Sequence, residues 1–394
     1  MSSFLDALNL SNSGYLGDST DLSPFPVQPA GWLAHRAGEW SASFSDRALS
    51  PWISHSFSSD LSDLAENSVQ PTAVASDPSA FNLSYGYGVV DAAAAVTQAI
   101  AAGATFPDVP NVGGGIWGLD RVKAPEAWAQ GYTGQGVVVA VIDTGVDYTH
   151  PDLDNNIWMN TGETWDGIDN DGNGFIDDVL GWDFVNWDNN PMDDDSHGTH
   201  VAGTIAAENN GFGVTGVAYN AKIMPIKVLG PNGGSYADVA AGIVYAANQG
   251  ADVINLSLGG GYFNNLVAAA VQYATEKGAV VVMASGNEGS SQPSFPANLA
   301  STWGIAVGAI DSSDRLANFS NRAGTVPLDF VAAPGTRIWS TVPNNTYSAY
   351  SGTSMATPHV AGVAALMLSA NPTLTPGQVE TILIQTANPV GIVA

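Results

Sequence analysis

The sequence predicts an α/β protein with a mostly parallel sheet between layers of helices. Short apolar runs rich in β-branched residues recur after about residue 117, and helical patterns lie between them. The run 137–142 reads VVVAVI, unbroken and β-branched, as suits a strand buried on both faces. The runs 221–229, 252–258 and 279–284 read the same way, and 236–248 and 266–277 carry helical patterns. Strands alternating with helices imply parallel neighbours joined by crossovers. In such sheets the working residues stand at the carboxyl ends of the strands.

Three segments follow along the chain. Residues 1–82 are rich in Ser, Asp and Pro and show no sustained period, so they predict a loosely structured or propeptide-like extension. Residues 83–116 combine a Gly-containing turn, an Ala/Val-rich helix after Asp91 and a Pro/Gly linker at 104–116. Residues 117–394 carry the α/β pattern. The first residues hold no basic n-region and no long apolar stretch, and no secretory signal is recognisable. That leaves a cytoplasmic location, or export by a route not visible in this chain.

Composition narrows the function. The chain has 394 residues and no cysteine, which excludes disulfides, thiolate metal sites and cysteine nucleophiles. No apolar run reaches the roughly 18 residues of a membrane span. The net charge of −27, from 37 acidic against 10 basic residues, disfavours a nucleic-acid partner, because phosphate is repelled. The expected partners are protein or peptide substrates, and the expected state is a monomer. Aspartates crowd between Asp166 and Asp195. A solvated acidic face is one reading of that crowd. A hard cation, Ca2+, is the other, since clustered carboxylates repel unless neutralised.

Three segments hold residues that together make a nucleophile. VVVAVI runs directly into Asp143, within VIDTGVDYTHPDL. His197 opens an Ala-rich helix in DSHGTHVAGTIAA, and Ser354 opens another in SGTSMATPHVAG. A serine hydroxyl is a weak nucleophile at neutral pH. It needs a histidine to take its proton, and a buried carboxylate to orient that histidine and stabilise its cation. Singly, each residue has a plainer reading: a turn aspartate, a helix-capping serine, a metal pair of His197 with His200. The last is weakened because HGTH lacks the glutamate of H-E-x-x-H. The chain order Asp, His, Ser differs from the Ser, Asp, His of α/β-hydrolases, and GTSMA lacks their second glycine.

The blocks DTGVDYTHPDL, HGTHVAGT and GTSMATPHVAG, in that order, resemble the three signature blocks of the subtilisin family of serine endopeptidases, over about residues 117–387. The resemblance implies a three-layer subtilisin-like fold with Asp143, His197 and Ser354 as the triad. It implies that Asn287, in ASGNEGS, donates to the oxyanion together with the Ser354 N–H. It nominates Ser257, Leu258 and Gly259 on one side and Gly233, Gly234 and Ser235 on the other as edges that pair with an extended peptide. Ala284, Ser285 and Gly286 would line the pocket for the residue before the scissile bond. Small walls leave room there for a large apolar side chain, with Glu288 at the rim and Ser294 at the base.

The resemblance also implies one calcium site, with side-chain oxygens of Asp152 and Asn210 and carbonyls of Glu208, Phe212 and Val214. The position of its N-terminal glutamine ligand falls near Gly113, with Asp108 as a substitute. A second candidate is Asp169, Asp171 and Asn173, followed by Gly174, Asp177 and Asp178. This resembles the first half of an EF-hand loop but lacks the closing glutamate, because position twelve is Leu180. Asp188 with Asp193 is a third candidate. Residues 85–100, YGYGVVDAAAAVTQAI, look like the small-residue helix that ends subtilisins and that is missing after QTANPVGIVA. They would then pack as a circularly permuted C-terminal helix. Against the calcium-stabilised endopeptidase stand two alternatives: a non-catalytic calcium-binding scaffold, and a narrow processing protease.

Overall fold

The computed structural model describes residues 80–113, 116–389 and 391–393, so the expectation for 1–79 lies outside the described residues. The elements in chain order are α1 (Ala92–Ala99), α2 (Trp117–Arg121), α3 (Ala124–Trp128) and β1 (Val138–Asp143). Then come β2 (Trp182–Asp183), α4 (His197–Ala206), β3 (Lys222–Lys227), α5 (Tyr236–Asn248) and β4 (Val253–Leu256). They are followed by α6 (Asn265–Glu276), β5 (Val280–Ala284), β6 (Ile305–Ile310) and β7 (Phe330–Pro334). A hairpin of β8 (Ile338–Val342) and β9 (Thr346–Tyr350) leads to α7 (Thr353–Ala370) and α8 (Pro376–Thr386).

The seven strands β2-β3-β1-β4-β5-β6-β7 form one sheet, and every pairing in it is parallel. Side chains of β1 show why it has helices on both faces. Val139 and Val141 enter one core with α1, α4, α7 and α8, while Ala140 and Ile142 enter the other with α5 and α6. An alternating strand would leave one face wet; this one is apolar at successive positions and dry on both. The predicted α/β architecture is observed, with strand ends within two residues of the predicted runs.

Local chemistry sets the helix boundaries. Asp91 caps α1 by accepting the Ala94 N–H at 2.9 Å. Ser235 caps α5, and Thr375 with Gln378 forms a capping box on α8. Pro358 lies inside α7 and cannot donate to the carbonyl four residues earlier, that of Ser354.

Residues 82–103 belong to the fold. Tyr87 to Val90 run beside the sheet edge: Tyr87 N–H donates to Phe330 O, Ala332 N–H to Gly88 O, and Val90 N–H to Ala332 O, at 2.8–3.0 Å. On its other side Val89 exchanges two hydrogen bonds with Asn388. Helix α1 then packs on α7 and α8, with Ala92, Ala95 and Val96 fully buried.

Candidate active site

The polar residues nominated by sequence converge at the carboxyl ends of β1, β4 and β5. Asp143 is the last residue of β1 and is fully buried. Its Oδ1 accepts the Thr144 N–H at 2.7 Å and faces His197 Nδ1 at 2.7 Å. The other ring nitrogen, Nε2, is buried and carries no hydrogen bond. That is the nitrogen a general base must keep for the proton of a nucleophile. Burial opposes charge on His197, but the Asp143 carboxylate outweighs it, with Asp195 and Asp193 adding, and the net pKa is raised above 6.5. The other member of HGTH behaves differently. His200 Nε2 lies 2.9 Å from the Ile338 carbonyl, its ring stacks on Tyr350, and burial lowers its pKa to about 3. It is a neutral packed imidazole.

Ser354 is the second residue of α7, 3% exposed, where backbone N–H groups lack intrahelical partners. Its carbonyl, left without a partner by Pro358, accepts the Ser257 hydroxyl at 2.8 Å, and Asn255 Nδ2 donates to that hydroxyl at 2.9 Å. Ser257 is fully buried. Its side chain therefore anchors the helix that carries Ser354, a role the sequence reading did not assign. Asn287 Oδ1 accepts the Thr353 N–H at 2.8 Å and the Thr353 hydroxyl at 3.1 Å. With its oxygen so held, the amide NH2 is the end left to face a ligand.

A buried lysine ties these parts together. Lys227, 2% exposed at the end of β3, donates to Thr144 O at 2.7 Å, Leu229 O at 3.0 Å and Asp194 Oδ1 at 2.6 Å. One ammonium thus joins the residue after Asp143, the β3 exit and the loop before His197. Asp193 works beside it, accepting from the Thr144 and Thr199 hydroxyls and from the N–H groups of Asp195, Ser196 and Thr199. Its oxygens are filled by protein donors. Asp188 instead accepts the Asn190 N–H. These hydrogen bonds give the expected cation between Asp188 and Asp193 no support.

The proposed substrate edges are partly engaged. Gly233 and Gly230 exchange two backbone hydrogen bonds, and Ser235 caps α5. Gly233 thus serves the local turn through its N–H and C=O, whereas Ser235 is engaged through its side chain and its carbonyl, which accepts the Val239 N–H. Leu258 and Gly259 follow β4 on the opposite wall. Ala284 ends β5, and Ser285 is buried with its hydroxyl on Asn321 O at 3.3 Å. Gly286, at φ +106, sits so close to Asn321 Nδ2, Glu288 Oε2 and Ser294 Oγ that a Cβ would lie 2.3, 2.7 and 2.9 Å from them. Glycine is required there, and Asn321, which the sequence did not reveal, joins Glu288 and Ser294 in that polar group.

Two carboxylate sites bear on a metal. Asp152 is fully buried, and its oxygens accept the Val214 N–H at 2.9 Å, Asn210 Nδ2 at 3.0 Å and the Tyr347 hydroxyl at 3.3 Å. Glu208 binds Asn155 through its carboxylate, and Phe212 is exposed. In the loop 160–178, Glu163, Asp169 and Asp171 each bring an oxygen within 4.8 Å of the others. Glu163 was not anticipated, because it precedes the motif. Asn173 donates to Asp171 and Asp178. Asp177 turns to the N–H groups of Asp166 and Gly167, and Asp178 is buried against Tyr245, Asn160 and Asn173. Those two carboxylates stand outside the three-oxygen group.

The model of the subtilase family matches residues 134–393. Subtilisin E of Bacillus subtilis (strain 168) is 47% identical over 285 residues, which are 70% of this chain and 66% of that protein, just under two thirds of its length. A subtilisin of Bacillus pumilus is 46% identical over 285 residues, covering 92% of its own length. Among solved structures, a cold adapted subtilisin-like serine proteinase matches with a TM-score of 0.58 and 35% identity, over 70% of this chain and 93% of that one.

Proposed function

The chain belongs to the subtilase family, and we propose that it is a serine endopeptidase that hydrolyses extended polypeptides. The observation that carries this is Asp143 held at 2.7 Å from His197 Nδ1, with Nε2 left uncommitted. Ser354 attacks the scissile carbonyl, and His197 takes its proton and returns it to the leaving amine. Asp143 holds the tautomer and stabilises the imidazolium. The Asn287 amide and the Ser354 N–H receive the oxyanion. One such donor contributes about 3 kcal/mol to the barrier. The peptide lies between 257–259 and Gly234. The residue before the cut enters the space by Ala284, Ser285 and Gly286, which suits a large apolar side chain.

Calcium is assigned to Glu163, Asp169 and Asp171, three hard oxygen donors whose mutual repulsion a divalent cation relieves. Asn173, Asp177 and Asp178 support that loop through hydrogen bonds. At Asp152 a cation requires Asn210 to turn its amide oxygen inward, with the carbonyls of Glu208, Phe212 and Val214 completing the set. Residues 83–103 act as the permuted ending of the domain, packed on α7 and α8.

The test is hydrolysis of a chromogenic peptide with a large apolar residue before the cut, by the wild type and Ser354→Ala. Activity abolished in the variant supports the reading. Activity equal in both would sink it. Calcium should raise Tm less for Glu163→Gln than for the wild type, the remainder coming from the Asp152 site, whatever the activity.

A further inference from the structure

Three successive carbonyls in the first turn of α7 each take a side chain. Thr357 Oγ1 donates to Thr353 O at 2.8 Å, and His359 Nδ1 lies 2.9 Å from Met355 O. Both of those side chains belong to α7 itself. The carbonyl between them, that of Ser354, is the one Pro358 cannot serve. It is held from outside the helix, by the Ser257 hydroxyl at 2.8 Å. Just ahead of it, the Thr353 N–H is held by Asn287 Oδ1 at 2.8 Å. Ser354 therefore sits between two anchors, which arrive from the segments that follow β4 and β5.

A hydroxyl has one proton. That of Ser257 goes to Ser354 O, so the hydroxyl oxygen must accept, and its donor is Asn255 Nδ2 at 2.9 Å. This fixes which way the Asn255 amide points. It also leaves Asn255 Oδ1 buried with no hydrogen bond among the described residues. Asn255 is fully buried in β4, between Ile254 and Leu256 of an apolar core. An unpaired amide oxygen is costly in such surroundings. Orphans of this kind are retained where they serve a site. The polar end of Asn255 serves the Ser257 hydroxyl.

We propose that Ser257, oriented by Asn255, is a positioning residue for the nucleophile. Its hydroxyl fixes the peptide plane that follows Ser354, and with it the aim of the Ser354 Oγ and N–H at the scissile carbonyl. Ser257 also lies on the edge 257–259 along which the substrate is placed. One side chain thus ties the substrate's track to the group that attacks it. The inference rests on the proposed peptidase function. Without the hydroxyl, the Ser354 carbonyl is left unheld and the turn shifts. A shift of about 1 Å at a reacting atom costs on the order of 10²-fold in rate. Pairing along 257–259 uses backbone groups, so substrate binding is kept.

The experiment is a double-mutant cycle of Ser257→Ala with Pro358→Ala. Alanine at 358 has an N–H that can donate to Ser354 O, replacing from within the helix what Ser257 gives from outside. The Asn255 amide loses its acceptor in both backgrounds, so that cost cancels. Each protein is checked by circular dichroism. It is then assayed on the chromogenic peptide and by its rate of labelling with a fluorophosphonate, which reads the reactivity of Ser354 without a peptide. Ser257→Ala alone should lower kcat and the labelling rate by about 10–100-fold, with KM within about twofold. In the Pro358→Ala background the same change should cost less than about threefold. Ser257→Cys, a weak donor of similar shape, should fall between, and it carries the cycle if the alanine variant does not fold. Equal losses in both backgrounds, a rise in KM at unchanged kcat, or no loss would overturn the proposal. Wild type that labels but leaves the peptide intact would count against the peptidase reading, and the labelling cycle alone would then decide this one. Wild type inert to both reagents would overturn both.

Discussion

The two ends of the sheet treat buried charge in opposite ways. At the carboxyl end, Asp143, Asp193 and Lys227 each meet several named partners within 3 Å or less. At the amino end, Glu380 of α8 lies in the field of Asp329, just before β7, with no cation paired to either among the described residues. Glu380 has only the Gly304 N–H, at 3.1 Å. Burial, with Asp329 adding, pushes Glu380 up to about 7, and burial alone pushes Asp329 to about 6. Partnered charge sits in fixed geometry and can act on a substrate. Unsatisfied charge picks up a proton and becomes ordinary packing.

Four substitutions probe this difference. Asp143→Asn should have the largest effect, a fall in kcat of about 10⁴-fold with the fold retained, because an amide favours the wrong histidine tautomer. Peptide hydrolysis and circular dichroism measure the two halves of that statement; a mild loss would show that the carboxylate at this end is structural. Asn287→Ala should lower kcat by about 10²–10³-fold with little change in KM, as for a donor used only in the transition state. Lys227→Met should cost about 3 kcal/mol in denaturant unfolding, since it leaves two buried carbonyls and Asp194 without their donor.

Glu380→Gln should have the smallest effect, of opposite sign. The folded pKa of Glu380 is raised, so the native state holds its proton to higher pH than the unfolded chain does. Stability is full below about 4.5 and is lost as pH rises through about 7. The variant should therefore be less sensitive to pH in that window and more stable than the wild type near pH 8. Parallel unfolding curves for both proteins across pH 5–8 would contradict it. For His197 the sign runs the other way in function: its raised pKa keeps it protonated, and so useless as a base, to higher pH. Activity should rise with pH through that raised value.

Much of the site was legible because it is written in local sequence. A strand that ends in Asp143, and helices that open at His197 and Ser354, place their side chains by backbone geometry alone. The unbroken apolar runs likewise predicted the sheet, since dryness on both faces requires them. The acidic loop was half legible: Asp169 and Asp171 follow a spacing rule, whereas Glu163 reaches them only by the chain folding back.

What the tertiary structure decided are the partners that come from distant sequence. Ser257 anchors the Ser354 carbonyl across 97 positions, and Lys227 reaches Thr144 across 83. Asn321 packs with Glu288 and Ser294 against Gly286, and Asp193 accepts from hydroxyls and N–H groups. The sequence by itself determined which residue types stand at the strand and helix ends, because periodicity and capping act within a few residues. Which carboxylates are satisfied, and which must take up a proton, depends on donors and low-dielectric surroundings that only the packed chain assembles.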